Sequence, residues 1–188
     1  TQVFANEERA GLDLIRSLDE TQRSRAIVRP SIHTDDLPRE LQHPFDGRMQ
    51  TGAFHDNAVI PHDGVAATDL SDTQRHLLLA LASTYVGWSR DGHNEAQMNE
   101  VVRHLDDTWF SWMGSTGDGG PFYYRVQSPV LIVEFDHHPG VVFDNDTPSR
   151  NHIHTLVRSP NGGDYGVDLL RQHHDRFDHS HGDHQPRV

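Results

Sequence analysis

The stretch Pro121-Phe122-Tyr123-Tyr124-Arg125-Val126-Gln127, followed by Val130-Leu131-Ile132-Val133-Glu134-Phe135-Asp136-His137-His138, decides the fold. Side chains on a strand point alternately to its two faces, so residues two apart share a face. From Pro121 onward the pattern has this period, and Phe122–Gln127, Val130–His137, Val141–Phe143 and His152–Val157 read as strands. Pro139-Gly140, Asn145-Asp146 and Pro148 supply turns between them, which predicts an antiparallel meander. On the second strand, Leu131, Val133, Phe135 and His137 share one face. Val130, Ile132, Glu134, Asp136 and His138 share the other.

Working outward, the period before Pro121 is helical. Glu7 to Leu18 puts Leu14, Ile15 and Leu18 on one stripe. Asp19-Glu20-Thr21-Gln22 and Ser71-Asp72-Thr73-Gln74 are capping-box patterns, and each is followed by Arg in a repeated Thr-Gln-Arg triplet. A further helix is expected from Asn94 to Asp107 through Met98, Val101, Val102 and Leu105. Helices first and strands afterwards predict an α+β fold: a helical N-terminal part packed on an antiparallel sheet meander, with a C-terminal helix. The expected layout is one domain over 1–174. It has helices at 7–28 and 71–107, a long loop at 29–70, a sheet at 121–158 and a helix at 165–174. A His/Asp-rich tail follows at 175–188. The long loop holds four prolines and four histidines; loops of that length either serve function, wrap a partner or make a surface excursion.

Composition narrows the function. The chain has 188 residues, a formal charge of −12, and neither cysteine nor lysine. Disulfides, thiolate catalysis, iron–sulfur clusters, Schiff-base chemistry and a Walker lysine are therefore excluded. An acidic chain lacks the cationic footprint that nucleic acid or an anionic membrane requires, so neither is an expected partner. No run reaches the ~20 apolar residues of a membrane span. The chain begins Thr1-Gln2-Val3, which reads as a processed chain or a piece, and the compartment stays open.

Histidine is the outlier. There are 16, nine of them in the last 52 residues, and protonating all of them would take the formal charge from −12 to +4. Imidazole is the commonest protein metal ligand. His152 and His154 lie on one face of an expected strand, together with Leu156 and Arg158. Two imidazoles so placed can share one ion at ~2.0–2.1 Å. His137 or His138 on the neighbouring strand could add a third ligand, as could His173 on the last helix, with His174 turned nearer to solvent. Each could equally be a histidine satisfied by its neighbours. Glu134 and Asp136 could orient a ligand or act as a general base, or be ordinary strand carboxylates. Arg125 and Arg158 could clamp a substrate carboxylate or pair with the abundant acids. Trp109-Phe110-Ser111-Trp112 with Phe122-Tyr123-Tyr124 reads as core or as a pocket wall.

These residues also resemble a family. Phe122-Tyr123-Tyr124-Arg125-Val126, Val133-Glu134-Phe135-Asp136-His137, His152-Ile153-His154-Thr155, Pro160-Asn161-Gly162, Asp164-Tyr165-Gly166 and Asp168-Leu169-Leu170-Arg171-Gln172-His173 occur in the order seen in domain-of-unknown-function family 3500. Phe45-Asp46-Gly47-Arg48-Met49 and Trp109-Phe110 are similar to it too. The family name assigns no activity. The resemblance implies members nearly twice this long, built of two related halves, of which this chain resembles the C-terminal one. It also implies a histidine at the positions of His137, His152, His154 and His173, and so favours His137 over His138 and His173 over His174.

The expectation drawn from the sequence is a metal-dependent enzyme, an oxidoreductase acting on a small organic substrate. One copper, zinc or iron ion would be held by His137, His152, His154 and His173, with Glu134, Asp136 and Arg158 as catalytic residues. The rivals are a zinc-dependent hydrolase and a non-catalytic metal-binding or interaction subunit. Expected partners are a related N-terminal half or a second copy of the chain, besides the small-molecule substrate.

Overall fold

The computed structural model describes residues 3–42, 47–52, 60–140 and 147–160, together with 173, 176 and 177. Two helices open the chain, α1 (Ala5–Ser17) and α2 (Glu20–Ala26), followed by strand β1 (Ile27–Arg29). After the long loop come β2 (Val65–Ala66), α3 (Asp72–Val86) and α4 (His93–Arg103). Strands β3 (Trp109–Gly114), β4 (Phe122–Gln127), β5 (Ile132–His137) and β6 (Ile153–Arg158) complete the described part. The fold is α+β, with helices gathered in the N-terminal half and one sheet built largely by the C-terminal half.

Both capping boxes form. Asp19 Oδ1 accepts from the Gln22 amide and Ser71 Oγ from the Gln74 amide, while each glutamine side chain accepts from its own cap residue's N–H. The two boxes then lock together. Gln22 Nε2 donates to Gln74 Oε1 at 3.0 Å, and Gln74 Nε2 donates to Gln22 Oε1 at 2.8 Å. The repeated Thr-Gln-Arg triplet thus places its two glutamines where the helix starts meet.

The sheet runs β1-β3-β4-β5-β6, with β2 pairing β3 off this path. Strands β3 to β6 form the antiparallel meander, whereas β1 lies parallel to β3, so the sheet is mixed. Two differences from the sequence reading follow, and two expected elements are not described. The helix expected to reach residue 28 ends at Ala26, and Ile27–Arg29 becomes the parallel edge. Trp109–Gly114 is a central strand. The expected strand Val141–Phe143 and the helix at 165–174 lie outside the described residues, apart from His173.

The two faces of the sheet have opposite chemistry. One carries Phe110, Trp112, Phe122, Tyr124, Val126, Val133 and Phe135, all buried against Leu14 and Ile15 of α1 and Leu78, Leu81 and Tyr85 of α3. Each fully buried aliphatic or aromatic side chain there contributes about 1.5–3 kcal/mol. The other face carries Tyr123, Arg125, Gln127, Glu134 and Asp136, equally buried but polar. Its cover is the long loop. A covering segment whose described residues hold only short 3-10 turns, Thr34–Asp36 and Arg39–Leu41, brings backbone groups that need partners. The polar strand residues supply them: Gln127 Nε2 donates to Ile60 O, Arg125 Nη2 to Pro61 O, and Glu134 accepts from Gln50 and Thr51.

Candidate metal centre

The register of β5 and β6 determines which histidines meet. Asp136 pairs with His154 and His137 with Ile153, and the His138 amide donates to His152 O at 2.7 Å just beyond the ladder. Asp136, His138, His152 and His154 therefore stand on the loop-covered face, and His137 stands on the helix-covered face.

At that end of the hairpin three imidazoles converge. His138, His152 and His154 each offer a ligand atom, and these atoms lie within 4.8 Å of one another. His152 Nε2 and His154 Nε2 are 3.0 Å apart. Two nitrogens bound at 2.0–2.1 Å to one ion stand roughly 2.9–3.4 Å apart for angles between 90° and tetrahedral. The His138 ring stacks on that of His154, with centroids 4.5 Å apart.

One carbonyl orients two of the rings. His138 Nδ1 and His152 Nδ1 each lie 2.8 Å from Pro139 O. A carbonyl only accepts, so both Nδ1 atoms carry the proton and both Nε2 atoms present lone pairs. A backbone oxygen fixing the tautomer and aim of a ligand imidazole is the usual outer support of a metal histidine.

The loop closes on the triad through Gly47 and Arg48. Gly47 has φ 61°, and a Cβ there would overlap Asp136 Oδ2 and the His138 ring. The Arg48 amide donates to Asp136 Oδ2 at 3.3 Å and its guanidinium stands 3.5 Å away. Asp136 is fully buried, and burial pushes its carboxyl from 3.8 up to about 7 against the pull of Arg48. Thr34, Leu37 and Gln42 join Gly47, Arg48 and His138 around a cleft of about 400 Å³.

The remaining residues singled out in the sequence are placed elsewhere. Glu134 accepts four hydrogen bonds: from Gln50 N and Tyr123 Oη at Oε1, and from Thr51 N and Thr51 Oγ1 at Oε2. Burial, reinforced by Glu134, keeps the Tyr123 phenol protonated as a donor. Glu134 therefore anchors the loop. Arg158 pairs with Ile132 at the far end of β6, four residues from His154 and so roughly 13 Å along the strand. His137 is buried on the core side, where its Nδ1 accepts the Phe122 amide at 3.1 Å and its Nε2 stands 3.7 Å from Glu8 Oε1. Burial lowers its pKa from 6.5 to about 4. His173 is exposed, with its ring 4.9 Å from that of Phe177. Among the described residues, then, the geometry brings His138 to the pair His152/His154 and brings neither His137 nor His173.

Sequence reasoning missed Gly47, Arg48, Glu8 and Arg150. The first two lie in the Phe45–Met49 motif, which gave a signal without a role. Glu8, to which the sequence reading assigned no role, is buried and paired with Arg150.

A family model described as a protein of unknown function, DUF3500, matches residues 1–167. Comparison with curated proteins and with solved structures gave no match.

Proposed function

We propose a function for this chain, which belongs to the DUF3500 family, from the geometry at the end of β5 and β6: a metal-dependent enzyme, an oxidoreductase acting on a small organic substrate, whose ion is held by His138, His152 and His154. The observation that supports it most is the Pro139 carbonyl shared by two imidazoles, which leaves both Nε2 lone pairs as ligand atoms beside the third ring. Three protein ligands leave a coordination position for water, dioxygen or substrate. An all-imidazole set suits copper, zinc and iron, and affinity alone favours copper. Bound there, such an ion would supply redox chemistry or polarise a substrate oxygen.

The protein's own residues hold and exclude. Pro139 O keeps the rings aimed. Gly47 lets the loop approach the triad, and Arg48 clamps it to Asp136. Asp136, with a carboxyl near neutrality, can hold a proton beside the centre. Oxidation is favoured over hydrolysis because Glu134 is saturated by four donors and is not placed as a base for an attacking water, while the Asp136 carboxyl is buried and held through Oδ2 by Arg48.

Elemental analysis of untagged protein purified without added metal tests the centre. About one equivalent of a first-row transition metal is expected, and it should be lost in His152→Ala/His154→Ala. Unchanged metal content in that variant, or none in the parent, overturns the reading. Reduction by ascorbate and reoxidation by dioxygen with the metal retained would support an oxidoreductase. A protein that holds only zinc would overturn that part.

A further inference from the structure

Arg150 stands two residues before His152, and its environment is unusual. Its Nε is paired with Glu8 Oε1, a carboxylate that α1 buries almost completely, whereas the Arg150 side chain remains 40% exposed. Glu8 is its only ion-pair partner among the described residues. A guanidinium held through Nε is fixed in plane, and its two terminal nitrogens keep the fork that grips a carboxylate bidentately.

That fork borders a cavity of about 790 Å³. Val3, Phe4 and Ile153 give it apolar walls, while Arg150, Asn151 and His152 give it polar ones. The size and the mixture suit a small ligand with an apolar body and a few fixed polar contacts. Asp118, the other acid whose charge reaches Arg150, is engaged by Arg16 at 2.7 Å. The wall residue His152 belongs to the triad, so the cavity adjoins the centre through that one shared residue. Elsewhere the formal charge of −12 repels anions, which makes a fixed guanidinium in an apolar-walled cavity selective by contrast.

We propose that this cavity is the substrate subsite, and that it takes a small aromatic or aliphatic carboxylate whose carboxyl group is clamped by Arg150 while its apolar body lies on Phe4 and Ile153. The identification as a substrate subsite rests on the metal-centre reading above; the carboxylate binding itself does not.

Ligand-detected NMR titration of chelator-treated protein with benzoate and with its neutral amide, benzamide, tests this. Benzoate should saturate and bind at least tenfold tighter than benzamide. Glu8→Gln/Arg150→Gln removes both charges together, so no buried carboxylate is left unpaired, and it should weaken benzoate at least tenfold while leaving benzamide unchanged. Should that variant not fold, Arg150→Lys keeps the charge and the Glu8 pairing but loses the fork, and it should still weaken benzoate severalfold. Equal binding of benzoate and benzamide, or benzoate binding indifferent to either variant, overturns the proposal. Metal content of the parallel untreated samples separates the two readings. Benzoate binding by protein that never holds metal removes the centre and leaves a carboxylate site without the substrate role, whereas metal without benzoate binding leaves the centre and overturns the carboxylate site.

Discussion

His152 Nε2 lies 3.0 Å from His154 Nε2, two residues away on the same strand face. Without an ion this contact is one hydrogen bond; with an ion, both nitrogens turn to it. The ring that completes the set is His138, one position along from His137. Replacing His138 by Gln should therefore weaken metal binding by at least roughly a hundredfold, more than the 10–100-fold typical of losing a residue that only orients a ligand. His137→Gln should leave metal affinity within about threefold and act on stability instead. Competition with a chromophoric chelator measures both, and equal losses would contradict the placement.

Acid should destabilise the metal-free protein through His137. Burial lowers its pKa from 6.5 to about 4. A lowered folded-state pKa means that the unfolded chain binds the proton more readily. The stabilisation is complete above 6.5 and is lost as pH falls towards 4, by about 3 kcal/mol. Asp136 has the opposite sign. Its pKa is raised to about 7, so its contribution is complete below 3.8 and is lost as pH rises through 7. The two slopes oppose each other between pH 4 and 6.5. Asp136→Asn removes one of them, and denaturant titrations should then show a steeper fall in stability towards pH 4 than in the parent.

Glu134 is expected to matter for the fold more than for chemistry. Glu134→Ala strands the Gln50 and Thr51 amides, the Thr51 hydroxyl and the Tyr123 phenol together, at a cost of roughly 3–5 kcal/mol. Tyr123→Phe removes one donor of the four and should cost about 1–3 kcal/mol. Equilibrium unfolding checks both, and a near-neutral Glu134→Ala would contradict the anchor role.

Gly47→Ala joins two penalties. A φ of 61° strains an alanine, and its Cβ would overlap Asp136 and His138. The backbone term alone is about 1–3 kcal/mol. Stability should fall and metal affinity should fall with it, read by thermal melts with and without added metal.

The strands from β4 to β6 were legible because they alternate cleanly, whereas β3 reads in the sequence only as core or pocket wall. Phe122–Gln127 is both the expected strand and the observed β4. Parity on β5 was legible as well, since His138 follows Glu134 and Asp136 in phase. The family pattern nevertheless favoured His137, which is a core histidine held by the Phe122 amide and close to Glu8. Two things could not be read. The three residues of β1 are too short to interrupt a helical pattern. The burial of the polar face depends on a 40-residue loop folding back, and no local period encodes that. A carboxylate inside reads the same as one outside until its donors are known.

One carboxylate gathers the middle of the loop's grip on the sheet: Gln50 and Thr51 of the loop and Tyr123 of β4 all converge on Glu134. Two amides held by one acceptor are released together. In hydrogen–deuterium exchange the Gln50 and Thr51 amides should share one protection factor, and that value would report how often this part of the loop lifts from the polar face.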